Sequence, residues 1–89
     1  DRPYNVTPPF PNPVRRRATL EVAVRESQSV RVHLYDVLGR RVETAFRGEV
    51  AGQDTRTIRL NANRLASGTY FLRIQGERFS TTERMVVVQ

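Results

Sequence analysis

Apolar and polar residues alternate with a period of two along most of this chain. Ala18, Leu20, Val22 and Val24 are separated by Thr19, Glu21 and Ala23, which predicts a strand with one buried face. Glu26-Ser27-Gln28-Ser29 reads as a polar turn. Val30, Val32 and Leu34 then alternate with Arg31, His33 and Tyr35 in a second strand. Val42, Thr44 and Phe46 mark a third. Asp36-Val37-Leu38-Gly39-Arg40 between them predicts a hairpin connection, with the Asp36 carboxylate capping the turn and Gly39 taking a positive φ. Gly48 to Gly52 reads as a loop bracketed by glycines. A fourth strand runs from Thr55 to Leu60, with Arg56 near the open end of the face shared by Ile58 and Leu60.

The pattern then breaks at Asn61 to Ser67. A connecting loop is predicted there, with one helical turn at Ala62 to Leu65 and Leu65 plugging it onto the core. Ser67 and Gly68 give way abruptly to Tyr70, Leu72 and Ile74 on one face of a fifth strand, Thr69 to Gln75. Gly76-Glu77 predicts a tight turn, and Phe79 to Val88 the last strand. Met85 and Val87 lie on one face of that strand and Val86 and Val88 on the other. A strand apolar on both faces is either covered on two sides or awaiting a partner.

Six to seven short strands, frequent turn signals and no helical periodicity predict an all-β fold, an antiparallel immunoglobulin-like β-sandwich. The chain has neither cysteine nor tryptophan, so the disulfide and core tryptophan of true immunoglobulin domains are missing. Its 89 residues suffice for one core. All five prolines fall between Pro3 and Pro13, so residues 1–13 read as an extended linker and 14–89 as the sandwich. Pro13 holds Asn12 extended, leaving the Asn12 amide free to bond neighbouring backbone. The chain opens at Asp1 without a charged n-region or apolar h-region, and reads as the tail or an inner module of a longer protein.

Charge adds less than its size suggests. The net charge is +6 and all 15 basic residues are arginine. Most arginines alternate with Glu, Asp or Thr, which predicts a solvated, cross-paired sheet surface. The basic stripe with stacking aromatics expected of a nucleic-acid binder is missing, so no nucleic acid is predicted as a partner. His33 is the sole histidine, and its place between Val32 and Leu34 points it to the outer face beside Arg31 and Tyr35, which predicts a structural or surface role rather than a catalytic one. No phosphate-binding glycine run occurs. Calcium could find oxygens at Asp36, or at Glu49 with Asp54, though without a recognised loop spacing. The acids are scattered over turns, so the prediction is a domain that is not an enzyme and needs no cofactor. Tyr35, Phe71 and Phe79 on outer faces leave a carbohydrate-binding or adhesive module of a secreted enzyme as the alternative.

Four segments together resemble a known family. Phe10-Pro11-Asn12-Pro13 is similar to the Y-P-N-P opening of the C-terminal sorting domains of the type IX secretion system. Tyr35-Asp36-Val37-Leu38-Gly39-Arg40-Arg41-Val42 resembles that family's Y-D-x-x-G-R-x-V hairpin. Leu65-Ala66-Ser67-Gly68-Thr69-Tyr70 matches its L-x-x-G-x-Y segment, and Glu83-Arg84-Met85-Val86-Val87-Val88 its closing K-M-V strand. Arg84 stands where the family usually has Lys, and Gln89 where a basic residue is common. The resemblance spans Phe10 to Gln89.

It implies a sorting signal of Bacteroidetes and their relatives, behind an upstream cargo domain in cis. The implied partners are the outer-membrane translocon and a sortase-like protease that cuts in or near the proline-rich lead. The cargo would pass through the periplasm, then be released or attached to the cell surface. The implied recognition residues are Asn12, Pro13, Asp36, Gly39, Arg40, Leu65, Gly68, Tyr70, Arg84, Met85, Val86 and Val87. An unpaired last strand would also let two copies dimerise through it.

Overall fold

The computed structural model describes residues 2–89; Asp1, the first residue of the predicted linker, lies outside the described residues. Seven strands form in chain order: β1 (Tyr4–Val6), β2 (Arg17–Val24), β3 (Gln28–Tyr35), β4 (Arg41–Val50), β5 (Asp54–Asn61), β6 (Gly68–Gln75) and β7 (Ser80–Val87). They make two sheets, a three-stranded one in the order β1-β2-β5 and a four-stranded one in the order β4-β3-β6-β7. All strand pairings are antiparallel. The all-β sandwich expected from the alternating pattern is present, in a layout compatible with an immunoglobulin-like one.

The inner faces meet as predicted. Leu20 and Val22 of β2 pack with Val30 and Val32 of β3, Leu72 and Ile74 of β6, and Met85 and Val87 of β7, all fully buried. Those of β2, β3 and β6 come from alternating stretches, because the pleat sends every second side chain inward; Met85 and Val87 follow the same period within a run that is apolar on both faces. Arg56 does sit at the open end of its face, with its guanidinium 5.0 Å from the ring centre of Phe46.

Four local expectations are corrected. The predicted polar turn ends two residues early: Gln28 and Ser29 belong to β3, and Gln28 is buried. Its Oε1 accepts from Glu77 N (2.9 Å) and Arg78 N (3.2 Å), and its Nε2 donates to Glu26 O, so it closes the β6–β7 turn. The glycine-bracketed loop is mostly strand, since Gly48, Glu49 and Val50 pair with β3 and Val50 is buried. The predicted helical turn at Ala62 to Leu65 is a single hydrogen-bonded turn, Leu65 N to Ala62 O, that no helix continues; Leu65 is half-buried against the core. The alternative aromatic platform is incomplete, because Phe79 is stacked on Tyr4 with ring centres 4.4 Å apart.

The proline-rich lead is extended, but it lies along the sandwich. Tyr4–Val6 pair with Val22–Val24 as an edge strand, and Phe10 bridges to Thr19. An edge needs donors on one side only, so prolines flanking a short strand are tolerated there.

Candidate functional site

The register carries all four motif segments to one end of the sandwich. β3 ends where β6 begins, Tyr35 opposite Phe71, and β7 ends where β6 begins, Val87 opposite Gly68. β2 begins where β5 ends, Arg17 opposite Asn61. The Asp36–Arg40 hairpin tip, the 62–67 loop, the Asn12–Val14 segment and the end of β7 therefore share one pole. The turns at 25–27, 51–53 and 76–79 make the other, along a molecule whose long axis spans 37 Å.

Each motif residue has a visible task at this pole. Asp36 Oδ1 accepts from Leu38 N (2.9 Å) and Arg40 N (3.0 Å), and Asp36 Oδ2 takes Arg40 Nε at 2.9 Å. The Arg40 backbone N–H holds the Asp36 carboxyl below the usual carboxylate range, burial opposes this, and the Arg40 guanidinium and Leu38 N–H reinforce it. Gly39 closes the turn at φ 82°, where a Cβ would be strained. Gly68 enters β6 at φ 154°, also outside the range of ordinary side chains. Tyr70, buried, donates its hydroxyl to Ala66 O at 2.7 Å and so ties the loop to the core.

Contrary to the expectation from sequence, Asn12 does not bond neighbouring backbone. Its Nδ2 donates to Arg84 O (3.0 Å) and its Oδ1 accepts from Val86 N (2.9 Å), across 72 and 74 residues of sequence. Pro13 follows it, and the Phe10–Pro11 and Asn12–Pro13 peptide bonds are both cis. Val14 then runs parallel to the strand end, giving N–H to Val86 O (2.7 Å) and accepting Val88 N (2.9 Å). The outer edge of β7 from Arg84 to Val88 is thus already paired, and Thr82 and Ser80 hold its open stretch among the described residues. Met85 and Val87 are buried in the core, while Val86 is half-buried on the outer face beside Thr69.

Gln89, standing where the family often has a basic residue, is not idle. Its Nε2 donates to Ala62 O and Leu65 O at 2.6 and 2.9 Å, and its backbone N–H to Ser67 Oγ at 2.9 Å. An amide here does what an ammonium or guanidinium can do, satisfying carbonyls the turn leaves over.

The pole also gathers exposed apolar side chains that pattern reading did not single out. Val37 and Leu38, at the hairpin tip, are 67% and 73% exposed; Phe10 and Val42 are also open. Their clue in the sequence is two large aliphatics inside a turn, where polar residues are usual.

His33 faces outward as predicted but is covered, with Nδ1 3.1 Å from Thr44 Oγ1 and Tyr35 edge-on. Burial lowers its pKa from 6.5, and Arg41, Arg31 and Arg47 lower it further. Thr44 supplies a hydroxyl partner, but among the described residues no carboxylate hydrogen-bonds the ring to orient it as a nucleophile relay requires. The calcium candidates are engaged elsewhere: Glu49 with Ser29 Oγ, Asp54 with the Thr55 N–H, and Asp36 with Arg40. No group of three or more His, Cys, Asp or Glu able to hold a metal occurs among the described residues.

The structure is thus a small two-layer β domain, bound into one pole by a folded-back lead and bearing its sequence motifs there. Residues 9–88 match the model of the secretion system C-terminal sorting domain, and the chain belongs to that family, the sorting signals of type IX secretion. The family's role is sorting, not catalysis, and membership implies export to the cell surface or beyond it and engagement of the secretion machinery. Among solved structures, the chain is similar to the crystal structure of dimeric latent PorU from Porphyromonas gingivalis, with TM-score 0.75 and 24% identity. That likeness covers 96% of this chain and 9% of that one, and concerns the fold. A search of curated proteins found no match.

Proposed function

We propose that the folded domain is the recognition element by which the outer-membrane translocation machinery selects an upstream cargo, and that the domain itself performs no chemistry. The observation that supports this most is the convergence of all four family motifs on one pole, where most of their residues hold backbone in place. Asn12, Asp36, Gly39, Gly68 and Tyr70 shape the pole; Val37 and Leu38, held out by Asp36 and Arg40, are what a receptor would touch. Arg84, Met85, Val86 and Val87 contribute through the paired end of β7 more than through a free edge.

Selection of a folded domain requires passage through the periplasm before the outer membrane is crossed. A sortase-like protease would then cut in or near the lead. Proteases bind extended backbone, so β1 must peel from β2 to be cut. Its backbone ties beyond the three-residue register are Arg25 N to Pro3 O, Thr7 N to Glu21 O and Glu21 N to Thr7 Oγ1, and peeling must also release the Tyr4–Phe79 stack and the packing of Tyr4 and Val6 on the core. The Asn12–Val14 staple would remain and keep the pole intact.

The test places a periplasmic signal peptide and a reporter ahead of residues 1–89 in a type IX-competent host. A matched strain without the translocon is the control. Reporter outside the first strain and retained in the second is the expected result. Retention in both overturns the proposal.

A further inference from the structure

On one face the cross-strand register departs from the cross-paired surface expected of the arginines. On the outer face of the four-stranded sheet, Arg47 lies directly opposite Arg31. In the next row Thr44, His33 and Arg73 are aligned, followed by Thr82. In the row nearest the motif pole Arg41, Tyr35, Phe71 and Arg84 are aligned. Five arginines therefore share one face around a Tyr35–Phe71 pair, and none of the five meets a carboxylate among the described residues. The ion pairs that do form, Arg40–Asp36 and Arg78–Glu26, lie in turns. Glu43 pairs with Leu34 and so belongs to the other side of the sheet. The acids on this face, Glu49 and Glu77, sit at its far end, hydrogen-bonded to Ser29.

Like charges directly opposite each other on a sheet are destabilising. The Arg31–Arg47 pair bears that cost: Glu49 and Glu77 line the same groove, but no ion pair joins them to either arginine among the described residues. Tyr35 and Phe71 at the centre of the face are half-buried; with Val37, Gly39, Arg73 and Thr82 they line a shallow depression that runs up to the hairpin tip, and the acid that also lines it, Asp36, is held by Arg40. Recessed aromatics ringed by arginines are the composition of the energetic centre of protein–protein interfaces. A membrane would need the apolar groups to project beyond the charges, and a single-stranded nucleic acid would need fully exposed rings to stack on. Neither holds here.

We propose that this face, from Arg31 and Arg47 to Arg41 and Arg84, docks a folded protein whose surface presents carboxylates around an apolar projection. The guanidinium forks match carboxylates in bidentate geometry, and the projection fills the Tyr35–Phe71–Val37 depression. The inference rests on the sorting reading for the partner's place, in the translocation machinery, and names the surface by which that partner reads the domain.

The test compares Arg31→Gln/Arg47→Gln/Arg73→Gln with a charge-matched control, Arg15→Gln/Arg16→Gln/Arg59→Gln, whose changes lie just before β2 and on the other sheet. Each is titrated at about 150 mM salt with poly-L-glutamate, with phosphatidylglycerol vesicles and with a DNA 20-mer, and each is fused to the reporter for export. The face variant should bind poly-L-glutamate at least about tenfold more weakly than wild type and lose export, while the control stays within about twofold in both. Its melting temperature should equal or exceed that of wild type, because a repulsive pair has been removed. Equal losses in both variants would mean net charge alone is at work and would overturn the proposal. Face-dependent binding of vesicles or DNA tighter than that of poly-L-glutamate would overturn the partner class. If the wild-type fusion itself is not exported, the sorting reading fails, and the poly-L-glutamate arm still decides whether the face is a carboxylate-binding surface.

Discussion

The side chain of Asn12 carries the donor and acceptor of a peptide group, and it spends both on β7. Replacing it with alanine leaves Val86 N and Arg84 O without that partner. Net hydrogen bonds of this kind contribute about 1 kcal/mol each, so Asn12→Ala should cost about 1–3 kcal/mol in denaturant unfolding. The Val86 amide should also lose hydrogen-exchange protection, and unchanged exchange there would remove the staple from the account. Tyr70→Phe keeps the ring in the core and removes only the bond to Ala66 O, a loss of about 1 kcal/mol. His33 and Asp36 give stability a pH dependence of a stated sign. The folded-state pKa of His33 is depressed, so the unfolded chain binds its proton first as pH falls. Stability is complete above the ordinary value of 6.5 and declines below it. Melts at about pH 8 and about pH 5.5 should show the decline, and His33→Gln should flatten it. Asp36 is also depressed, so its contribution holds above its ordinary value of 3.8 and fades as pH drops through it. Asp36→Asn should remove that acid limb.

At the scale of the element, alternation was enough for some strands and blind to others. β2, β3 and β6 were legible because each buries one face against the opposite sheet and exposes the other, which forces a period of two. β1 was hidden by the prolines around Tyr4–Val6, since an edge strand tolerates what a central strand cannot. The end of β4 was hidden by Gly48, which reads as a loop although its backbone still pairs with Val30. The motif turns were legible in kind: Asp36 and Gly39 act as their chemistry dictates. What Asn12 bonds was not legible because its partners lie 72 and 74 residues away, and that Arg31 faces Arg47 was not because two irregularities shift the β3–β4 register. β1 has few backbone ties, so its amides should exchange well before those of β2 and β6. If Asn5 exchanges as slowly as Val22, β1 is an integral strand and does not peel for cleavage.

At the scale of the molecule, the two poles have separate tasks. The far pole is closed for stability by Gln28 and by the Tyr4–Phe79 stack. The motif pole holds the chain's folded-back ends and presents Val37 and Leu38. This division predicts that stability and sorting can be changed independently. Gln28→Leu strips the acceptor from Glu77 N and Arg78 N and should cost about 1–3 kcal/mol. Val37→Ser/Leu38→Ser changes two exposed side chains and should leave the melting temperature within a few degrees of wild type.

The most direct measurement is the fraction of reporter found outside the cell when these two variants are exported side by side with the wild-type domain. Val37→Ser/Leu38→Ser should fall by at least about tenfold while remaining folded, and Gln28→Leu, though less stable, should stay near wild type. Wild-type export of the Val37/Leu38 variant would contradict the claim that the motif pole is the surface the secretion machinery reads.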